Sequence, residues 1–231
     1  MPPRTPLALL LLSGVLFGAA GVSAQSDTFR AGLKSFTIPA PSTELVEPGA
    51  DYRVLLEPLV SNTNRLVAGF VSPSNLNALR TTTGTPLNRY ALVEVPRRGE
   101  FSDVSPAVFK QVVDSLAGQF GASIDANLKD QQDEVNRRIK NLGASNKTVT
   151  LDKPAQLGSF FNKPDAVSYG MVMPETVDGI AKKVVMNMIV VRVQQRLLFL
   201  YVFDEYKDES SVQWVRTTGD RWADAILQAN K

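Results

Sequence analysis

The residues that could carry covalent or proton-transfer chemistry in this 231-residue chain are few, and their spacing excludes more than it suggests. Gly121-Ala122-Ser123-Ile124-Asp125 opens like the G-x-S-x-G elbow that exposes a nucleophilic serine. Its last position is Asp, however, and it follows a helical pattern instead of a strand. The chain has no histidine, so nothing of the usual kind activates Ser123, and Ser-His-Asp triads and His-based zinc sites are excluded. It has no cysteine either, which removes thiolate nucleophiles, thiolate metal sites and iron–sulfur clusters. No serine is followed three residues later by Lys, and neither a Walker loop nor G-x-G-x-x-G occurs. No catalytic residue, cofactor or metal site is therefore expected.

Carboxylates, arginines and one tryptophan remain. Asp204-Glu205-Tyr206-Lys207-Asp208-Glu209 is the richest acidic stretch and could offer oxygen ligands to a hard cation. The plainer reading places these acids at a strand end, where they favour the positive N-terminus of the next helix. Arg97 and Arg98, with Glu100 close by, could grip a carboxylate or phosphate in the bidentate manner of guanidinium groups. The alternative is a solvated loop. Arg192 and Arg196 flank a chain reversal and either contact a ligand or mark where two strands leave the core. Asn187 sits inside an apolar strand and needs a partner if buried. Trp214 falls off the apolar stripe of its helix and reads either as a partner anchor or as a groove filler. Arg97, Arg98, Arg192, Arg196 and Trp214 are the candidate contact residues.

These side chains need a scaffold, and the hydrophobic pattern supplies one. Residues 25–35 read as a loose lead-in to a short edge strand at Phe36–Pro39. Tyr52–Leu59, Arg65–Val71 and Arg89–Val95 are strand-like, rich in β-branched and aromatic residues. Ser105-Pro106 is a good helix start, followed by a stripe of Phe109, Val112, Val113, Leu116 and Phe120. Gly118 and Gly121 suggest a break before a second helix over 123–142, capped by Gly143. The chain then turns to β structure at Leu157–Phe161, Val167–Val172, Lys183–Gln194 and Arg196–Phe203. The last two are apolar on both alternating sets, which places them at a sheet centre. Gln194-Gln195 is a poor two-residue turn, because Asn or Gly is favoured there. A closing helix begins with a Ser210/Gln213 capping box and carries Val212, Val215, Trp222 and Ile226 on one stripe.

The expected fold class is α+β: an antiparallel sheet flanked by helices, a helical insertion over 105–142, a C-terminal meander and a closing C-terminal helix. In element order, from Phe36 to Asn230, the chain resembles the PsbP-like sandwich proteins, named for an extrinsic photosystem II subunit, and also uncharacterised exported bacterial proteins. The resemblance implies a fold and no functional residues.

Residues 1–24 have the three parts of a secretory signal: Arg4, an apolar run from Leu7, and small residues ending in Val22-Ser23-Ala24. Cleavage is expected between Ala24 and Gln25, leaving 25–231 as a single domain; an uncleaved anchor is the alternative. The mature chain has no other apolar stretch of the roughly 20 residues a transmembrane helix needs. Its net charge falls from +2 with the loss of Arg4, which gives no electrostatic case for nucleic acid. The expectation is a periplasmic or secreted, non-catalytic accessory protein that meets an envelope protein. A small-ligand-binding domain is the second reading, and a carboxylate-based hydrolase the third.

Overall fold

The computed structural model describes residues 27–81, 87–141, 149–177 and 179–231. The leader over 1–24, the Ala24–Gln25 junction and the Gly143 cap lie outside the described residues, and of the polar loop expected after Val71 only 82–86 does; its Pro73–Thr81 part is a helix, which corrects that reading. Strands β1 (Asp27–Ala31) and β2 (Lys34–Ile38) form an antiparallel hairpin. This corrects the expected loose lead-in. Phe29 and Ala31 alternate inward with Phe36 and Ile38, and all four are buried, enough apolar surface to order the segment.

The expected strand at Tyr52–Leu59 is also corrected. Its residues form a short helix, α1 (Ala50–Arg53), and a 3-10 turn at Glu57–Leu59. Gly49 has φ 85°, a reversal that only glycine makes freely. Pro58 has no N–H for a ladder, and Leu56 and Val60 bury at helical spacing, not at alternate positions.

Next come β3 (Asn64–Val71), α2 (Pro73–Thr81) and β4 (Arg89–Pro96). Helix α3 runs unbroken over Pro106–Asn141, where two helices were expected. Ser105 caps it, its hydroxyl accepting from the Val108 amide at 3.2 Å. A glycine lowers helix propensity by about 1 kcal/mol against Ala but leaves the i→i−4 ladder intact. Gly118, exposed with open space around its Cα, is tolerated on those terms.

The C-terminal part contains β5 (Val149–Leu151), β6 (Ala155–Lys163), β7 (Ala166–Val177), β8 (Ile180–Val193), β9 (Arg196–Glu205) and α4 (Glu209–Ala229). Seven strands make one antiparallel sheet in the order β3-β4-β9-β8-β7-β5, with β6 also on β7. The doubly apolar β8 and β9 are central, as their sequences require. Gln194 and Gln195 do make the turn between them, both at positive φ (47° and 62°). The Val104 amide donates to the Gln195 carbonyl at 2.8 Å and helps to hold the turn in a conformation glutamine does not favour.

Helix α4 covers one sheet face with the expected stripe of Val212, Val215, Trp222 and Ile226, packed on Val185, Ile189, Leu198 and Leu200. Its cap is not the expected Ser210. Asp208 accepts from the Ser210 amide at 2.8 Å and is the N-cap. The other face carries Phe109 and Val104 against Val167, Val190 and Leu197, and beside them an aromatic and methionine cluster. The architecture is α+β. Among the described residues no helix is long and apolar enough to cross a membrane.

Candidate functional site

Trp214 is the sequence candidate that the fold places in a concavity. It stands on the second turn of α4, off the buried stripe, and is half-buried. The loop Pro41–Glu44 runs opposite, and between them lies a groove of about 620 Å³. Ser42, Thr43 and Glu44 line one wall; Ser210, Gln213, Thr217 and Arg221 line the other. The helical spacing of 210, 213, 214, 217 and 221 puts all five on one flank of α4.

Arg89, the first residue of β4, fixes the tryptophan. Its guanidinium lies 4.1 Å from the centre of the Trp214 ring, a cation–π contact. Register pairs Arg89 with Asp204, and their side chains meet in a bidentate fork at 2.9 and 2.8 Å. The remaining Arg89 nitrogen donates to Glu44. Hydrogen bonding to Asp204 raises the Arg89 pKa, with burial opposing and Glu44 adding to the rise. Asp204 is 8% exposed, whereas Glu44 is 54% exposed and reaches solvent across the groove. Arg89 is thus a structural cation paired with both Asp204 and Glu44 that braces one ring face, and Arg221 is a further charge lining the groove. The outcome is an aromatic edge, several hydroxyls, one amide, one carboxylate and one guanidinium. Such a surface offers hydrogen-bonding groups and an aromatic edge.

The four arginines singled out by sequence go elsewhere and do not converge. Arg192 binds Asp165, with Nε 2.8 Å from a carboxylate oxygen, and ties β8 to the β6–β7 turn. Arg196 is nearly buried, at 6% exposed; it donates to the Ser102 carbonyl at 2.9 Å and to Asp103. Arg97 donates through Nε to the Asn64 carbonyl at 2.8 Å, and Arg98 is exposed. Glu100 accepts from Arg65 Nε at 3.2 Å and from the Gly32 amide at 2.9 Å, and interacts with Arg97 only through its charge. Asn187 is fully buried and donates to the Val215 carbonyl at 3.1 Å, stitching β8 to α4, which is a packing role.

The acids follow the same pattern. Hydrogen bonds from Arg65, with the Gly32 amide, hold Glu100 below the usual carboxylate range. Arg196 does the same for Asp103, and the Ser210 hydroxyl and amide for Asp208. In each case hydrogen bonds from neighbouring residues favour the ionised carboxylate.

Sequence reasoning missed Arg89, Glu44 and Arg221. Arg89 and Asp204 lie 115 residues apart and meet only through strand register, a signal that one sequence does not carry.

No family model matches the chain, and no curated protein matches it. Among solved structures it is similar to a Glu-to-Ala mutant of the protein Mog1, at 10% identity and TM-score 0.33. It is also similar to the Saccharomyces cerevisiae Ran-binding protein Mog1p, at 9% identity and TM-score 0.32. Each match covers 88% of this chain and 94% of the other. These are Mog1 chains, a family distinct from the PsbP-like proteins. Likeness at this level assigns neither a family nor a partner.

Proposed function

We propose that this chain is an exported, non-catalytic accessory protein of the bacterial cell envelope that meets its partner through the Trp214 groove. The carrying observation is the tryptophan itself, half-buried, braced by Arg89 on one ring face and standing at the edge of an open groove. A rigid aromatic with a polar surround loses little entropy on binding and is the commonest form of interface anchor. The leader read at 1–24 supports export to the periplasm or beyond.

A photo-crosslinking side chain in place of Thr217 tests this in a bacterial host. The expected result is one defined envelope adduct that is lost with Trp214→Ala, from protein whose N-terminus is Gln25. Material retained in the cytosol with Met1 attached overturns the export reading. Turnover of esterase, phosphatase, glycosidase or peptidase substrates, abolished by one carboxylate substitution, overturns the non-catalytic one.

A small polar ligand in the same groove is the second reading. It is favoured by a volume inside the roughly 300–1,000 Å³ range of ligand pockets. A thermal-shift panel of sugars and other polar metabolites separates the two readings, since a ligand bound to the native state raises the melting temperature.

A further inference from the structure

Four of the chain's five methionines fall between positions 171 and 188, and register gathers them on one side of two neighbouring strands. Met171 stands directly opposite Met186. Met188 is the next residue on that face of β8, and Met173 the next on that face of β7. Opposed side chains are about 4.5–5.5 Å apart at Cβ, and same-face neighbours along a strand about 7 Å apart. Met171, Met186 and Met188 are buried, at 6%, 7% and 9% exposed, and form one cluster with Met173 half-buried at its margin. A methionine has three rotatable bonds, so three thioethers on such a triangle can turn their sulfurs toward one point.

The surroundings suit a soft cation. Strand β9 puts Phe203 opposite Met186 and Tyr201 opposite Met188, and these rings lie 6.1 Å apart, nearly parallel. Tyr90 stacks on Phe203 at 4.4 Å and extends the wall. Aromatic faces stabilise a desolvated positive charge and also pack well against thioether sulfur. A strongly hydrated divalent ion would lose too much water here for three neutral ligands to replace. Thioethers are soft and uncharged, and they select monovalent copper-class ions over zinc, magnesium or calcium. In a chain with no cysteine and no histidine, methionine sulfur is the one soft donor present.

We infer that Met171, Met186 and Met188 form a thioether site for a single soft monovalent cation, copper(I) or its analogue silver(I). The site lies on the sheet face opposite α4 and is independent of the Trp214 groove and of export.

The test uses the purified chain with silver(I), a probe that needs no reductant, followed by copper(I) under anaerobic competition with a chromogenic chelator. One equivalent is expected to bind, with the methyl resonances of Met171, Met186 and Met188 shifting together in carbon-13-methyl-labelled protein. Copper-edge X-ray absorption should show sulfur neighbours, and zinc should not bind. Met171→Leu, Met186→Leu and Met188→Leu keep the side-chain volume. Each is expected to weaken binding by more than about a hundredfold, beyond the 10–100-fold that removing a mere outer-shell partner costs. The idea is overturned if no saturable binding appears, if the bound metal shows only oxygen or nitrogen neighbours, or if the leucine variants bind as tightly as the parent. The resonance shifts and absorption spectrum need no variant, so a leucine chain that fails to fold leaves the test standing.

Discussion

Toward α4, strand β8 presents Val185, Asn187, Ile189 and Val191; away from α4 it presents Val184, Met186, Met188 and Val190. The α4 side is closed by fixed shapes. Branched aliphatics meet Val215, Trp222 and Ile226, and Trp222 donates its indole N–H to the Pro39 carbonyl at 2.7 Å. Gly219 lets the helix approach so closely that an added Cβ would come within 2.3 Å of Asn187 Nδ2 and 2.8 Å of Ile189 Cδ1. On the opposite side, Val167, Val190 and Leu197 pack with Phe109 of α3, and next to them lies a patch of unbranched thioethers and stacked rings. Branched side chains at contact distance specify one arrangement, whereas methionine adapts to several. The sheet therefore has a face under α4 that fixes the fold and, on its other face, a methionine and aromatic patch that can accommodate change.

Substitutions test that contrast directly. Trp222→Ala should have the largest effect, destabilising by about 3–5 kcal/mol in urea unfolding through the lost side-chain volume, with the Pro39 carbonyl left unpaired as well. Gly219→Ala should follow at about 1–3 kcal/mol, because the added methyl meets the ends of two fully buried side chains, the Ile189 methyl and the Asn187 amide that donates to the Val215 carbonyl. Ordinary helix propensity predicts the reverse sign, a gain of up to about 1 kcal/mol. Gly219→Ala thus separates tight closure from a loosely laid helix, and an unchanged or raised melting temperature would break the comparison.

A smaller effect depends on pH. Glu100 anchors the β1–β2 hairpin, whose Phe29 and Phe36 belong to the α4-side core, through the Gly32 amide and Arg65. Its folded pKa is lowered from 4.5, so its contribution is fully present above the unfolded value and is lost as pH falls through the lower folded one. The stability gap between the native chain and Glu100→Gln should be greatest near neutrality and shrink below about pH 4.5. A gap that widens on acidification would refute the pairing.

What was legible in the sequence follows from the same physics. Buried strands and the α4 stripe are local periodicities, and they were read correctly because period and burial are written in adjacent residues. Tyr52–Leu59 misled because aromatic and aliphatic residues there suit a strand by type, while Gly49 and Pro58 govern the backbone. The break expected at Gly118 and Gly121 gave local propensity more weight than a continuous 36-residue helix gives it. At the site, Trp214 was legible as the residue off its stripe. Arg89, Asp204 and Glu44 were not, since their meeting depends on strand register and loop placement. The methionine cluster lay in plain view as a run of spacings, but two strands had to be aligned before Met171 and Met186 became neighbours.

The smallest expected effect is the most informative about the adaptable patch. Met186→Leu replaces one flexible apolar side chain by another of similar volume, and such exchanges usually cost less than about 1.5 kcal/mol. Ile189→Ala, three residues along on the opposite face, should cost about 2–5 kcal/mol, as truncation of a buried aliphatic does; Ile189→Leu is the fairer control because it preserves volume but moves the branch. If Met186 is merely another shape-fitted core residue, the two leucine variants should lose similar stability in parallel urea titrations. If the thioether patch is adaptable, Ile189→Leu should lose more than Met186→Leu, because its displaced methyl group must fit against α4 where Gly219 leaves no slack. A larger loss at Met186 would mean that the sulfur already makes a specific contact in the metal-free chain.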